Sequence, residues 1–244
     1  MKDTILTITE NVNIAKNVYR MTLLGDVSAV RNPGEFINIR LDGFYLRRPI
    51  SVCDLSDDSV TIIYKVVGKG TAAMSRMSAG ETLQVLTGLG NGYDLSLSGK
   101  HPLLIGGGVG VPPMYLLAKR LKAQGKDVSV ILGFNTADEV FGEDEFKALG
   151  CHVTVTTVDG SRGVKGFVTD ALPAEYSYFY TCGPEPMLRA VYRATVTSGQ
   201  FSFEERMGCG FGACMGCSCK TVTGYKRICK DGPVLRKEEI LWDD

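Results

Sequence analysis

The sequence predicts an α+β chain in three parts. These are an N-terminal antiparallel β-barrel over residues 1–99, a doubly wound α/β nucleotide domain over 100–200, and a small cysteine-built subdomain over 201–244. Three observations predict this division. Short apolar runs alternate between turn residues up to Gly99, strands alternate with helical stretches after Lys100, and five of the eight cysteines fall within residues 209–229.

Composition bounds the function classes. At 244 residues and 44% hydrophobic, the chain has material for more than one core. Its 27 basic and 27 acidic residues cancel, which removes the electrostatic argument for a nucleic-acid or anionic-membrane partner. No apolar run reaches the ~18 residues a spanning helix requires. The most apolar stretch, 103–117, is broken by glycines and two prolines. The first residues pass straight into an alternating pattern without a signal-like apolar segment, so the expected location is cytoplasmic.

The barrel is expected from runs at 4–9, 18–24, 36–41, 59–67 and 82–86, spaced as in a small antiparallel barrel. Leu46-Arg47-Arg48-Pro49-Ile50-Ser51-Val52 unites an arginine, a proline-stiffened strand and a serine. Arg48 suits bidentate pairing with a diphosphate and Ser51 a flavin ring edge. The plainer alternative is a surface arginine pair beside an edge-strand proline. Downstream, the glycines of Gly68-Lys69-Gly70 run into Thr71, expected as the N-cap of a helix over 72–77. Helix N-termini attract anions, so Gly70 and Thr71 are candidates for the same diphosphate. An ordinary loop-to-helix junction is the alternative.

After Lys100, strands at 102–105, 128–132, 152–157 and 176–181 alternate with helices at 114–124, 139–149 and 188–197, the pattern of a parallel sheet. Gly106-Gly107-Gly108-Val109-Gly110-Val111-Pro112-Pro113 occupies the first strand-to-helix turn, where a nucleotide pyrophosphate binds. Pro113 stands where G-x-G-x-x-G has its last glycine, and the loop also suits tight strand–helix packing. Cys182-Gly183-Pro184-Glu185-Pro186-Met187 follows the last of these strands, so Cys182 is expected at the ligand crevice, near a nicotinamide, or else as a small buried residue. Cys53 and Cys151 read as core residues. His101 and His152 lack neighbouring acids in sequence and read as structural histidines. Asp138, Glu139, Glu143 and Asp144 after the second strand disfavour a 2′-phosphate, whereas Ser161-Arg162 would accept one; the acids favour NAD.

In the third part, Cys209, Cys214 and Cys217 stand at C-x4-C-x2-C spacing with Cys229 downstream, the plant-type pattern for a 2Fe-2S cluster. Gly208, Gly210, Gly212 and Gly216 let the backbone wrap around an inorganic core. Strands at 220–222 and 225–228, turning at Thr223-Gly224, return Cys229 to the loop. Structural zinc sites favour paired short spacings instead. Cys219 is an adjacent spare that could replace Cys217.

These motifs, in this order over nearly the whole chain, resemble the ferredoxin reductase superfamily. With the cysteine loop and Cys229-Lys230-Asp231-Gly232-Pro233-Val234, the sequence closely resembles the electron-transfer subunits of type B, NAD-linked dihydroorotate dehydrogenases. The resemblance implies FAD in the barrel, held by Arg48, Pro49, Ile50, Ser51, Ile63, Tyr64, Lys65, Gly70 and Thr71. It implies NAD, as substrate, at Gly106, Gly107, Gly108, Gly110, Cys182, Gly183 and Pro184, and a 2Fe-2S cluster in the third part. Ile50 stands where many superfamily members have a tyrosine stacked on the flavin.

Nicotinamide exchanges two electrons together and the cluster one at a time, so FAD bridges them and no catalytic acid or base is expected. The implied partner is an FMN-containing catalytic subunit that oxidises dihydroorotate in pyrimidine (UMP) biosynthesis, in a heterotetramer of two copies of each. Two other readings fit the same residues: a reductase subunit of a hydrogenase or sulfide dehydrogenase complex, and a zinc-stabilised nucleotide-binding regulator without turnover.

Overall fold

The first part of the chain closes on itself. Six strands, β1 (Lys2–Ala15), β2 (Val18–Leu24), β3 (Phe36–Ile39), β4 (Arg48–Leu55), β5 (Ser59–Lys65) and β6 (Thr82–Leu89), form an antiparallel barrel in the order β1-β2-β5-β4-β3-β6. The structure is a computed structural model that describes residues 1–242, so Asp243 and Asp244 of the expected third part lie outside the described residues. Alternation sets the barrel wall: along β5, Val60, Ile62 and Tyr64 are buried while Ile63 and Lys65 face outward.

Helix α1 (Lys69–Met74) bridges β5 and β6. Its N-cap is Gly68, and Thr71 is the third residue inside it. The expected Thr71 N-cap is therefore corrected. The threonine hydroxyl reaches back to accept the N–H groups of Val67 at 3.0 Å and Gly68 at 3.3 Å, so the helix begins three residues earlier than expected.

The second part contains β7 (Pro102–Gly107), α2 (Val111–Ala123), β8 (Ser129–Phe134), α3 (Glu143–Ala148), β9 (His152–Thr157), β10 (Val164–Lys165), β11 (Tyr178–Cys182), α4 (Glu185–Ala194) and β12 (Gly199–Ser202). The C-terminal stretch adds a hairpin, β13 (Ser218–Thr221) and β14 (Gly224–Arg227), then β15 (Val234–Arg236). The sheet order is β10-β9-β8-β7-β11-β12-β15, parallel except for β15 against β12. Helix α2 packs on one face of the sheet with Leu104, Val130 and Leu132. Helix α4 packs on the other with Leu103, Ile105 and Ile131, which makes the sheet doubly wound.

Local chemistry explains the shifted boundaries. Helix α2 begins at Val111 and α4 at Glu185, because their prolines sit in a first turn whose N–H groups need no helical partner. The helix expected over 139–149 shrinks to α3 because Gly142, at φ +83°, cannot continue a right-handed helix through that point. The hairpin turns at Val222-Thr223, one residue before the expected pair, with Gly224 opening β14 at φ +112°. Strand β12 crosses the expected 200/201 boundary, and β15, well inside the expected third part, completes the same sheet. Among the described residues no helix is long and apolar enough to cross a membrane.

Candidate functional site

The cysteine loop is built by backbone reversal. Gly210 at φ +80° and Gly212 at φ +93° turn the chain between the first two cysteines. Amides then point at sulfur: Cys209 Sγ accepts the N–H groups of Ala213 at 3.2 Å and Cys214 at 3.4 Å, and Cys214 Sγ accepts that of Gly216 at 3.5 Å. Across the hairpin, the Cys229 N–H reaches Cys217 Sγ at 3.4 Å.

The four thiols fall into two pairs. Cys209 and Cys214 are hydrogen-bonded neighbours, as are Cys217 and Cys229. Two thiolates on each of two irons is the arrangement a binuclear cluster requires, and Cys209 with Cys214 and Cys217 with Cys229 supply it. The residues present therefore fit a 2Fe-2S cluster.

The Cys209 and Cys229 thiols have opposite acidities. Burial alone would raise the Cys209 thiol, but amides of Cys214, Phe211 and Ala213 and the Cys214 thiol bring it down to about 6. Burial and the Cys217 thiol push Cys229 up to about 12. Cluster binding must therefore expel a proton from Cys229. Cys214 is exposed, whereas Cys217 and Cys229 are buried. Cys219 lies on β13 opposite Lys226, half-buried against the core cluster that contains Cys217.

Sequence reasoning missed the loop's support. The Arg227 guanidinium donates to the Gly212 carbonyl at 3.0 Å and forks onto Asp231 at 2.9 and 3.1 Å. That pairing holds the Asp231 carboxyl down at about 2. An i,i+4 pair in Arg-x3-Asp was the signal available. The outward residue Phe36 of β3 packs in one core with Cys217, Ile228 and Cys229, seating the loop on the barrel wall.

The flavin candidates share that wall. Register places Pro49 opposite Asn38 and Ser51 opposite Phe36, so β4 is the strand next to the one the loop sits on. The Arg48 guanidinium lies over the Phe44 ring, 4.7 Å from its centroid, and donates to the Leu46 carbonyl. It also crosses Gly70 so closely that a Cβ there would stand 2.1 Å from Arg48 Nε. A cation thus meets the first turn of α1, a pairing that fits a diphosphate. Tyr64 turns its ring into the barrel, bonds Asn11 at 2.9 Å and stacks on Tyr19, which leaves only its backbone to the outer face. Lys65 reaches across to Glu139 at 2.8 Å, tying barrel to sheet.

The nicotinamide candidates meet where strand order reverses. β7 and β11 are adjacent, with Gly106 opposite Cys182, and their helices leave on opposite faces. A Cβ on Gly110 would stand 2.2 Å from the Cys182 carbonyl oxygen, and one on Gly107 2.3 Å from Met187 Sδ. These glycines let the two loops interlock. Gly108, at φ +51°, has nothing within 4 Å of its Cβ position and faces open space. Burial pushes the Cys182 thiol up to about 12, so it stays protonated at neutral pH. Arg162 is paired with Glu143 at 2.5 Å, which occupies the cation that would have welcomed a 2′-phosphate.

Residues 204–241 match the family described as the iron-sulfur cluster binding domain of dihydroorotate dehydrogenase B, and 104–193 match the oxidoreductase NAD-binding domain. The Fusobacterium nucleatum protein named dihydroorotate dehydrogenase B (NAD(+)), electron transfer subunit, is 47% identical over 96% of each chain. The chain belongs to this family of electron-transfer subunits. The Bacillus pumilus subunit of the same name is 43% identical over 98% of each chain. A solved structure from work on flavin-based electron bifurcation by the NADH-dependent reduced ferredoxin-NADP oxidoreductase superposes with TM-score 0.88 at 33% identity, covering 97% of this chain and 90% of that one. Phthalate dioxygenase reductase, at TM-score 0.67 and 20% identity over 79% of this chain and 64% of its own, shares the fold. With the family come electron transport as an oxidoreductase component and an iron–sulfur cluster, FAD and NAD as cofactors.

Proposed function

We propose that the chain carries electrons between a dihydroorotate-oxidising flavoprotein and NAD through a 2Fe-2S cluster and FAD, serving pyrimidine biosynthesis in the cytoplasm. Cys209 with Cys214 and Cys217 with Cys229 hold the cluster. Arg48, Gly70 and Thr71 hold the FAD diphosphate, Pro49, Ile50 and Ser51 line its ring, and Ile63, the Tyr64 backbone and Lys65 form the adjoining edge. NAD enters at Gly106, Gly107, Gly108 and Gly110 against Cys182, Gly183 and Pro184. The observation that carries this reading is the seating of two thiol pairs on β3, one strand from the Arg48–Ser51 stretch.

The cofactors supply the chemistry, hydride exchange at FAD and single electrons at the cluster. The chain's residues position them. The packed β7 and β11 loops fix where a dinucleotide lies, the amides around Cys209 stabilise thiolate, and the core that contains Phe36 and Ile228 buries the Cys217–Cys229 pair. Cys214 is exposed beside Phe211 and Met215, themselves 42% and 53% exposed, and this outer rim faces the partner. The partner is an FMN-containing dihydroorotate dehydrogenase catalytic subunit, two of each per complex, and dihydroorotate oxidation takes place there.

Purified protein should carry flavin absorbance, iron and acid-labile sulfide, and pull down a dihydroorotate-oxidising flavoprotein from its host. Protein with zinc and no flavin would sink the proposal. Co-purification with a hydrogenase would move the chain to a different complex.

A further inference from the structure

Asn38 is the polar residue in an otherwise apolar strand, Phe36-Ile37-Asn38-Ile39, and it is 1% exposed. Its neighbours Ile37 and Ile39 fill the barrel, so Asn38 shares the outer face with Phe36. Its Nδ2 donates to the carbonyl of the cluster ligand Cys209 at 3.4 Å. The next residue, Gly210, lies so close that a Cβ there would stand 2.3 Å from Asn38 Nδ2. On its other side Asn38 pairs in register with Pro49 of the flavin strand. Its Oδ1 is buried with no hydrogen-bond partner.

A buried acceptor without a partner destabilises a fold, and leucine of similar size would remove that cost. The asparagine sits there at a cost to stability, and the one hydrogen bond of its side chain goes to the cluster loop. Turning the amide over would set Oδ1 against the Cys209 carbonyl, two acceptors face to face, so the orientation is fixed by that contact.

We propose that Asn38 is a positioning residue for electron transfer: its amide anchors the Cys209–Gly210 turn to the wall that bears the flavin and so fixes the cluster-to-flavin separation. This rests on the proposed function. The step it governs moves one electron from reduced FAD to the oxidised cluster, and no bond is made or broken. The Asn38 contact lies at the backbone of the outer thiol pair, so its loss lets that turn lift from β3 while Phe36 still holds the inner pair.

The test uses the cofactor-loaded chain in complex with its partner, as wild type, Asn38→Leu and Asn38→Asp. NADH is mixed in and the flavin and cluster absorbances are followed separately, with the EPR line shape of the reduced cluster as a second readout. Asn38→Leu should melt no lower than wild type and reduce its flavin at the wild-type rate. It should pass electrons on to the cluster severalfold more slowly, because the Cys209–Gly210 turn is no longer held against β3, with an altered EPR line shape. Asn38→Asp, which sets a carboxylate against the Cys209 carbonyl, should slow the same step further and keeps the question answerable if the leucine variant misfolds. Unchanged cluster reduction and line shape in both variants would overturn the inference. Slowed flavin reduction would overturn it too, by placing Asn38 in the FAD site. Wild-type protein without iron and sulfide would instead defeat the proposed function itself.

Discussion

Gly110→Ala tests the crevice at the strand-order reversal most directly. The new Cβ would stand 2.2 Å from the Cys182 carbonyl oxygen, 2.4 Å from its carbon and 2.6 Å from the Gly183 nitrogen, all backbone atoms of the facing loop. None can rotate away as a side-chain tip would. Separation to the 3.0 Å that Cβ contacts respect moves the α2 start and the β11 end apart by most of an ångström. Such overpacking costs about 1–3 kcal/mol, which a two-core chain survives. Misplacement on the order of 1 Å in a positioning site can cost on the order of 10²-fold in rate. NADH-driven flavin reduction in a stopped-flow should therefore fall by about that factor. Chemical reduction of the cluster should stay as in wild type. Flavin reduction by NADH at the wild-type rate in a folded Gly110→Ala protein would refute the idea that these interlocked loops hold the nicotinamide. Gly108→Ala is the companion variant. It meets nothing within 4 Å and should weaken NAD binding through the approach it blocks and its φ of +51°, without spreading the loops.

Other predictions concern the cluster module. Arg227→Gln removes the fork onto Asp231 and the bond to Gly212, and iron per chain after gel filtration should drop while flavin content holds. Asp231 has its folded value depressed to about 2, so its contribution is complete above the unfolded carboxylate range and is lost as pH falls through about 2. Acid titration of cluster absorbance should show earlier bleaching in Asp231→Asn than in wild type. Cys219→Ser should retain the cluster and Cys217→Ser should lose it; iron analysis that shows the reverse would give Cys219 the place of Cys217. Lys65→Met should cost no more than about 1 kcal/mol in thermal denaturation, since the Lys65–Glu139 pair is partly exposed, and a larger loss would show that the pair locks barrel to sheet.

Much of this architecture was legible because its signals are local. Period-two alternation along β5 and the glycine-rich turn after β7 are written within a few residues each. What was illegible depended on distant partners. His101 and His152 flank Asp127 at 3.1 and 3.0 Å, a contact between three segments that no sequence window contains. Strands β12 and β15 were missed because each is only three or four residues long and the two pair with each other across the cysteine loop. Thr71 was misplaced by a hydroxyl reaching backward, a choice that threonine at a cap and threonine at the third helical position both allow.

The placement of β15 bears on how the cofactors are spaced. The segment after the last cysteine leaves the cluster through Gly232-Pro233-Val234, where Asn91 at the barrel exit donates its N–H to Gly232 O at 2.8 Å and its Nδ2 to Val234 O at 2.8 Å, and takes the Val234 N–H at 3.1 Å. Gly90 lies against Pro233 so tightly that a Cβ would stand 2.6 Å from its Cδ. The same segment then enters the sheet as β15 beside β12. One stretch of chain is therefore pinned to the barrel, the sheet and the cysteine loop within a few residues. A cluster carried on a mobile tether would need to dock at each turnover. A cluster bolted to both cofactor domains needs only a fixed gap, and a residue that sets that gap, as proposed for Asn38, acts on rate without touching the chemistry.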